Sequence, residues 1–399
     1  MSECAKCGAC STVCPVFRTS GREGHSARGK LHLLDTFGLA ESSSVFVDIF
    51  SACLLCGACT AVCPRHIDIS KELIVARNSF AALSGPHAYE KYLARKLLDY
   101  PGSLAGFRVL GKACGKILGA RLPKESGLRL RLAMFQEDDF AVTADHTQQE
   151  AGSQGKRLTW FPGCSARYLF PDILDSCRSL LANDSFVLDY SEDLVCCGVA
   201  AQAAGDSKGA RKNARKNIEV LETTEGPILV SCASCYAHLK TYPELFEDDA
   251  LWRSRSEKVA VRFVELSAFL EQQNSQRNTP VVIQGERLRV FYHDPCHLRH
   301  GVEDVDRARQ QLHRKQGLEL LELPDGPRCC GQGGLFHIAH PVISASIRDK
   351  LVQDVLALGP DVVTSTCSGC LIQWRQGLAA AESDVMVLHL AQLLGREGE

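Results

Sequence analysis

The spacing of apolar and polar positions changes character along the chain. In the first third, the stretches "SARGKLHLLDTF", "SSSVFVDIFSAC" and "ISKELIVARNSFAAL" read as helices, the last with apolar residues three and four apart. Over 85–132 apolar residues interleave with ten Lys or Arg against three acidic residues, as in "YLARKLLDY" and "GKACGKILGARL", which predicts basic helices. The acidic and polar run 137–155 reads as a linker. From residue 157 the pattern becomes short apolar strands, "RLTWFPGC", "GPILVSC", "RLRVFYHDPC" and "PDVVTSTC". These alternate with helical stretches such as "GARKNARKNIEVLE" and "SASIRDKLVQDVLAL". Strands alternating with helices predict parallel α/β sheets. In such sheets the carboxyl ends of the strands form the ligand-binding edge.

That C-terminal part is one pattern written twice. The first copy carries Cys164, then Cys196-Cys197-Gly198, then Cys232 and Cys235; the second carries Cys296, then Cys329-Cys330-Gly331, then Cys367 and Cys370. Equivalent cysteines are offset by 132 to 135 positions. Each lone cysteine and each C-x2-C follows a strand-like run and precedes a helical one, so all five cysteines of a copy can converge beyond the strand ends.

Composition narrows the chemistry. The 399 residues are enough for two or three domains. A net charge of −2 supplies no basic field for nucleic acid. The most apolar candidate for a membrane span, 45–64, contains Asp48 and a cysteine series, and the first motif begins at Cys4, which leaves no room for a signal peptide. The expectation is a cytoplasmic protein. Eighteen of the 20 cysteines fall into four ordered series, leaving Cys114 and Cys177, both read as core residues. Thiolates at fixed short spacings in a reducing compartment are metal or cluster ligands before they are disulfides.

The first two series, "CAKCGACSTVCP" and "CLLCGACTAVCP", match the C-x2-C-x2-C-x3-C-P run of [4Fe–4S] sites, whose fourth cysteine serves the other cluster. The expected sets are Cys4, Cys7, Cys10 and Cys63 for one cluster, and Cys14, Cys53, Cys56 and Cys59 for the other. Small residues such as Gly8, Ala9, Gly57 and Ala58 are expected to let the backbone approach the sulfides. Zinc knuckles are the alternative, although zinc sites usually use two close pairs. In the C-terminal copies, five converging thiolates exceed one tetrahedral zinc and suit a multi-iron cluster, with Gly198 and Gly331 leaving room where the backbone bends around the metal. Zinc on four of the five, or a metal-free dithiol, are the rivals. His293, His297 and His300 surround Cys296 and are read as lining or capping groups, with cluster tuning as the second role. "CCGQGG" lacks the lysine and frame of a phosphate loop, and no dinucleotide fingerprint is present.

Two ferredoxin series followed by two C-x(n)-C-C-G-x(n)-C-x2-C patterns resemble the heterodisulfide-reductase-D-like cysteine-rich (CCG) iron–sulfur proteins. This family includes the iron–sulfur subunit of glycolate oxidase, the related D-lactate dehydrogenases and the cysteine-rich component of anaerobic glycerol-3-phosphate dehydrogenase. The stretch "ARGKLHLLDTF" looks closest to the glycolate oxidase and D-lactate group. One departure is that both C-x2-C pairs are complete here, as in the catalytic chains of heterodisulfide reductase, where such sets hold non-cubane [4Fe–4S] clusters. The resemblance implies an α+β multidomain chain: an α-helical ferredoxin with two [4Fe–4S] clusters over 1–84, a helical basic segment and linker over 85–156, then tandem α/β CCG domains over 157–275 and 286–399 with one or two further clusters. It also implies an FAD-linked dehydrogenase partner oxidising glycolate or D-lactate, and peripheral contact with quinone at the inner face of a membrane.

Overall fold

The computed structural model describes residues 4–39, 43–80, 85–99, 101–118, 132, 155–182, 185–273, 282–283, 286–301 and 306–395. The expected linker 137–155 falls almost wholly outside these residues, as does the join between the two repeat copies.

The N-terminal part is helical, as the sequence predicts. Short α1 (Ala9–Val13) and α2 (Pro15–Ser20) follow the first cysteines, then α3 (Ala27–Phe37), α4 (Ser44–Ser51), α5 (Ala58–Ala61) and α6 (Ile69–Asn78). Each longer helix starts on a side-chain cap. Ser26 Oγ accepts from the Gly29 N–H, Ser43 Oγ from Phe46 N–H and Asp68 Oδ1 from Lys71 N–H. The turns that open α1 and α5 are built alike: Gly8 and Gly57 both adopt positive φ, 84° and 77°. Ala27, Leu31, Phe46, Phe50, Ile69, Leu73 and Ala76 form the core, with Phe46 stacked on Phe50 at 4.5 Å. The basic segment forms α7 (Ala88–Asp99) and α8 (Pro101–Leu118). Among the described residues no helix is long and apolar enough to cross a membrane.

The two C-terminal copies repeat one sheet topology. In the first, β1 (Lys156–Phe161), β2 (Phe186–Asp189), β3 (Ile228–Val230) and β4 (Phe263–Glu265) are all parallel in the order β2-β1-β3-β4. In the second, β5 (Val282–Ile283) runs antiparallel to the start of β6 (Glu286–Tyr292). The parallel set is then β7 (Leu318–Leu321), β6, β8 (Val362–Ser365) and β9 (Met386–His389), in the order β7-β6-β8-β9. The central strands β3 and β8 are buried at every position, which is why they read as unbroken apolar runs. Each feeds directly into a C-x2-C pair on the first turn of a helix, Ala233–Lys240 or Ser368–Ala380.

The copies share one hydrophobic core, running from Leu158 and Trp160 through Val290, Val363 and Trp374. Hydrogen bonds stitch the strand ends together: Ala233 N–H donates to Thr366 O (2.9 Å), and the buried His389 side-chain Nε2 lies 2.9 Å from Ser231 O. The helical part docks on both copies. Arg77 reaches Ala203 O, Ser51 Oγ meets His340 Nε2 at 2.8 Å, and Val16, Ala52 and Leu54 pack with Phe336 and Ile347.

Candidate metal centres

Two cavities in the helical part are each lined by four cysteines. The first, with about 370 Å³ of empty space including its open mouth, is lined by Cys4, Cys7, Cys10 and Cys63 together with Arg28 and Leu31. The second, about 420 Å³ on the same measure, is lined by Cys14, Cys53, Cys56 and Cys59 together with His25 and Lys30. The fourth cysteine of each series therefore lies in the cavity of the other series, as the sequence predicts. Neither lining contains a carboxylate, and the thiol-rich donor sets suit soft iron–sulfur ligation rather than a hard cation. Backbone N–H groups already point at sulfur: Phe17 N–H donates to Cys14 Sγ and Leu55 N–H to Cys53 Sγ, both at 3.4 Å. Burial pushes the Cys59 thiol up to about 12, so a bound cation is what would hold it as thiolate.

In the C-terminal copies the cysteines gather beyond β1, β3, β6 and β8. Eight of the ten are buried, while Cys164 and Cys296 are half-buried. In the first copy Cys164 Sγ lies 3.7 Å from Cys196 Sγ, and Cys197 accepts from the Cys196 and Cys235 thiols, which draws it down to about 6. In the second, Cys330 Sγ lies 3.4 Å from Cys370 Sγ, and Cys329 is held well below an ordinary thiol by Cys296 and Cys330 donating to it.

The sets are not separate. Cys232 of the first copy is held low by donation from Cys235 and from Cys367 of the second copy. Ser234 Oγ sits 3.1 Å from Cys367 Sγ and 2.8 Å from His297 Nδ1, bridging the copies again. At the other end, Cys56 of the helical part packs in one apolar cluster with Cys296 and Cys329. The repeat pattern alone gives two independent sets and carries no sign of these two junctions, because they depend on how the copies pack.

The glycines after the twin cysteines also face helices. Gly198 and Gly331 do bend the chain, at φ 95° and 86°. A Cβ there would meet the following helix, however, at 3.3 Å from Ala210 Cα and 2.9 Å from Ser344 O respectively. The glycines make room for helix backbone at these bends. Gly57 likewise serves docking, since its Cβ would lie 2.9 Å from His300 Cβ.

Of the three histidines around Cys296, His293 is the one aimed at a thiol set. It is buried, its Nε2 lacks a hydrogen-bond partner, and a ring nitrogen lies within 4.8 Å of the Cys330 and Cys370 sulfurs. Burial pulls it down to about 4, so it is a neutral imidazole able to donate to or ligate a metal group. His297 lines the junction through Ser234, and His300 packs on Gly57. Asp294, beside them, is clamped by Arg309 through two hydrogen bonds of 2.8 and 2.5 Å, which fixes the loop leading to Cys296. Cys177 is fully buried core, as expected, and Cys114 is half-buried on α8.

Comparison with known proteins agrees with this architecture. Residues 1–67 match the family described as a 4Fe-4S dicluster domain, and residues 158–240 and 290–375 each match the cysteine-rich (CCG) domain. The chain thus carries one 4Fe-4S dicluster domain and two CCG domains. Its curated relatives include "Lactate utilization protein A" of Halalkalibacterium halodurans, 27% identical over 241 residues, which covers 60% of this chain and 97% of the relative. The protein of the same name from Shouchella clausii is 29% identical over 237 residues, 59% of this chain and 98% of the relative. An uncharacterized protein, YkgE, of Escherichia coli is 29% identical over 228 residues, 55% and 94% of the two chains. The chain is accordingly an iron–sulfur component related to lactate-utilisation proteins.

Proposed function

We propose that this chain is the iron–sulfur electron-transfer subunit of a flavin-dependent 2-hydroxy-acid dehydrogenase, acting with an FAD-linked partner that oxidises glycolate or D-lactate and passing electrons toward a quinone or another acceptor. In this reading Cys4, Cys7, Cys10 and Cys63 hold one [4Fe–4S] cluster, and Cys14, Cys53, Cys56 and Cys59 the other. Cys164, Cys196, Cys197, Cys232 and Cys235 hold a third group, and Cys296, Cys329, Cys330, Cys367 and Cys370 a fourth. Bound there, iron–sulfur clusters supply one-electron carriers. Residues 1–84, 157–275 and 286–399 are the corresponding domains.

One observation carries the proposal: the four thiol sets adjoin one another in succession, the first two in neighbouring cavities and the second beside the C-terminal sets. Cys10 lies close enough to Cys59 for their thiolates to repel, and Cys56 likewise to Cys329. Cys330 then meets Cys370, Cys367 meets Cys232, and Cys235 meets Cys197 in the set that ends at Cys164. The partly exposed first set and the half-buried Cys164 stand at opposite ends of the row. Such a row suits charge transport across the molecule, and the names of the relatives favour lactate chemistry at its source.

The test is anaerobic purification of the tagged full chain from its own host. The proposal expects a stoichiometric FAD protein to accompany it, and a chain that purifies alone under those conditions counts against it. A second reading, that the cysteine sets themselves reduce a disulfide, is favoured by the Cys232–Cys367 junction and by both C-x2-C pairs being complete. Turnover of a heterodisulfide with reduced viologen would support that second reading, and none would exclude it.

A further inference from the structure

Two lysines and three arginines attend the thiol sets of the helical part, and one of the five is in an unusual position. Lys30, on α3, is 1% exposed and lines the cavity of Cys14, Cys53, Cys56 and Cys59. Its ammonium donates to a single neutral acceptor, His25 O, at 2.6 Å, and has no carboxylate within salt-bridge distance among the described residues. A buried, unpaired ammonium is costly and persists only where something negative faces it. The groups that face Lys30 across the cavity are the Cys14, Cys53 and Cys59 sulfurs, which would carry negative charge as ligands of a bound cluster. Arg77, also buried, is saturated by the Phe50, Ser51, Cys53 and Ala203 carbonyls and likewise brings no carboxylate. The nearby Asp48 bears on His25 and His340.

The other cavity is arranged differently. Of its lining cations, Arg28 is partly exposed and neutralised by Glu23 at 2.8 Å, and Lys6 and Arg65 are exposed to solvent. Water and a paired carboxylate leave little of such charges for a neighbouring group to feel, whereas the same charge in the interior acts at low effective dielectric.

We propose that Lys30 sets the second thiol set at a higher reduction potential than the first, its buried ammonium stabilising the added electron on a cluster held by Cys14, Cys53, Cys56 and Cys59. This rests on the proposed iron–sulfur function. The step is gain of one electron, delivered from the reduced flavin partner through the first set. No bond is made or broken; the compensating charge is the Lys30 ammonium, which burial disfavours and the facing cysteine sulfurs favour. The consequence is directional: the favoured resting place of the electron is the set whose Cys56 packs against Cys296 and Cys329, at the entrance to the C-terminal row. Lys30 is a positioning residue for charge and touches no substrate.

The experiment is a dye-mediated redox titration, followed by EPR, of the full chain as wild type, Lys30→Met and Arg28→Gln, each first assayed for iron and acid-labile sulfide. The proposal expects Lys30→Met to keep its iron and to move one reduction step of the helical part downward by about tenfold in the reduced-to-oxidised ratio at fixed potential, about 59 mV for one electron. The other step should hold, and Arg28→Gln should move both by less. Should Lys30→Met shed iron, Lys30→Gln, which keeps a donor for His25 O without the charge, is titrated in its place. Unmoved steps in a charge-removed variant that retains its iron overturn the proposal. A wild-type chain without iron and sulfide overturns the underlying functional reading instead.

Discussion

Gly331 shows how a single residue can be legible for its backbone while one of its neighbours is not. The sequence places a glycine where the chain must bend beside two thiols, and the positive φ agrees. The partner across the bend is Ser344 O, on a helix that no local pattern brings there. Gly331→Ala should therefore destabilise the protein by about 1–3 kcal/mol, read as a lower denaturant midpoint with an unchanged slope. Gly326→Ala, also at positive φ but with open space around it, should cost less because only the backbone term applies. Cys367 makes a second residue-scale case. Its thiol lies between the copies, so Cys367→Ser should disturb the spectroscopic signals of both C-terminal sets, whereas Cys164→Ser should disturb one. Equal, single-set effects would show that the Cys232–Cys367 junction is not functional. The repeat spacing reveals which cysteines exist, but their cross-pairing is a tertiary fact.

Among the elements, strands and helices of the C-terminal copies were legible because their burial leaves plain signatures. β3 and β8 are apolar without interruption, and each ends in a C-x2-C that begins a helix. The helices α3, α4 and α6 announced themselves by pattern. The short α1, α2 and α5 did not, since four to six residues around clustered cysteines hold too few apolar positions to set a period. The antiparallel β5, two residues long, is illegible for the same reason. Helix α6 also carries the clearest inter-element anchor. Arg77 satisfies four carbonyls, three in the helical part and Ala203 O in the first copy. Arg77→Met should leave those acceptors buried and unpaired, costing about 3 kcal/mol. Faster proteolysis near residue 203 should accompany the drop in stability, and cleavage indistinguishable from wild type would show that the anchor is dispensable.

At the scale of the whole molecule, the sequence contained the inventory and the structure supplies the order. Four series could have been four isolated sites. Packing of Cys56 against Cys296 and Cys329, and of Cys232 against Cys367, turns them into one row spanning the helical part and both sheets. Iron and acid-labile sulfide after anaerobic purification bound the number of occupied sites: about eight of each per chain if only the helical part is filled, about sixteen if every set holds a four-iron group. Zinc without sulfide would replace the electron-transfer account with a structural one. The most direct test of the central claim is freeze-quench EPR on the co-purified complex after anaerobic addition of glycolate or D-lactate. The account predicts that iron–sulfur signals of this chain appear as the partner's flavin turns over, and disappear when a quinone acceptor is added. A flavin that is reduced by the 2-hydroxy acid while this chain's signals stay silent would contradict it.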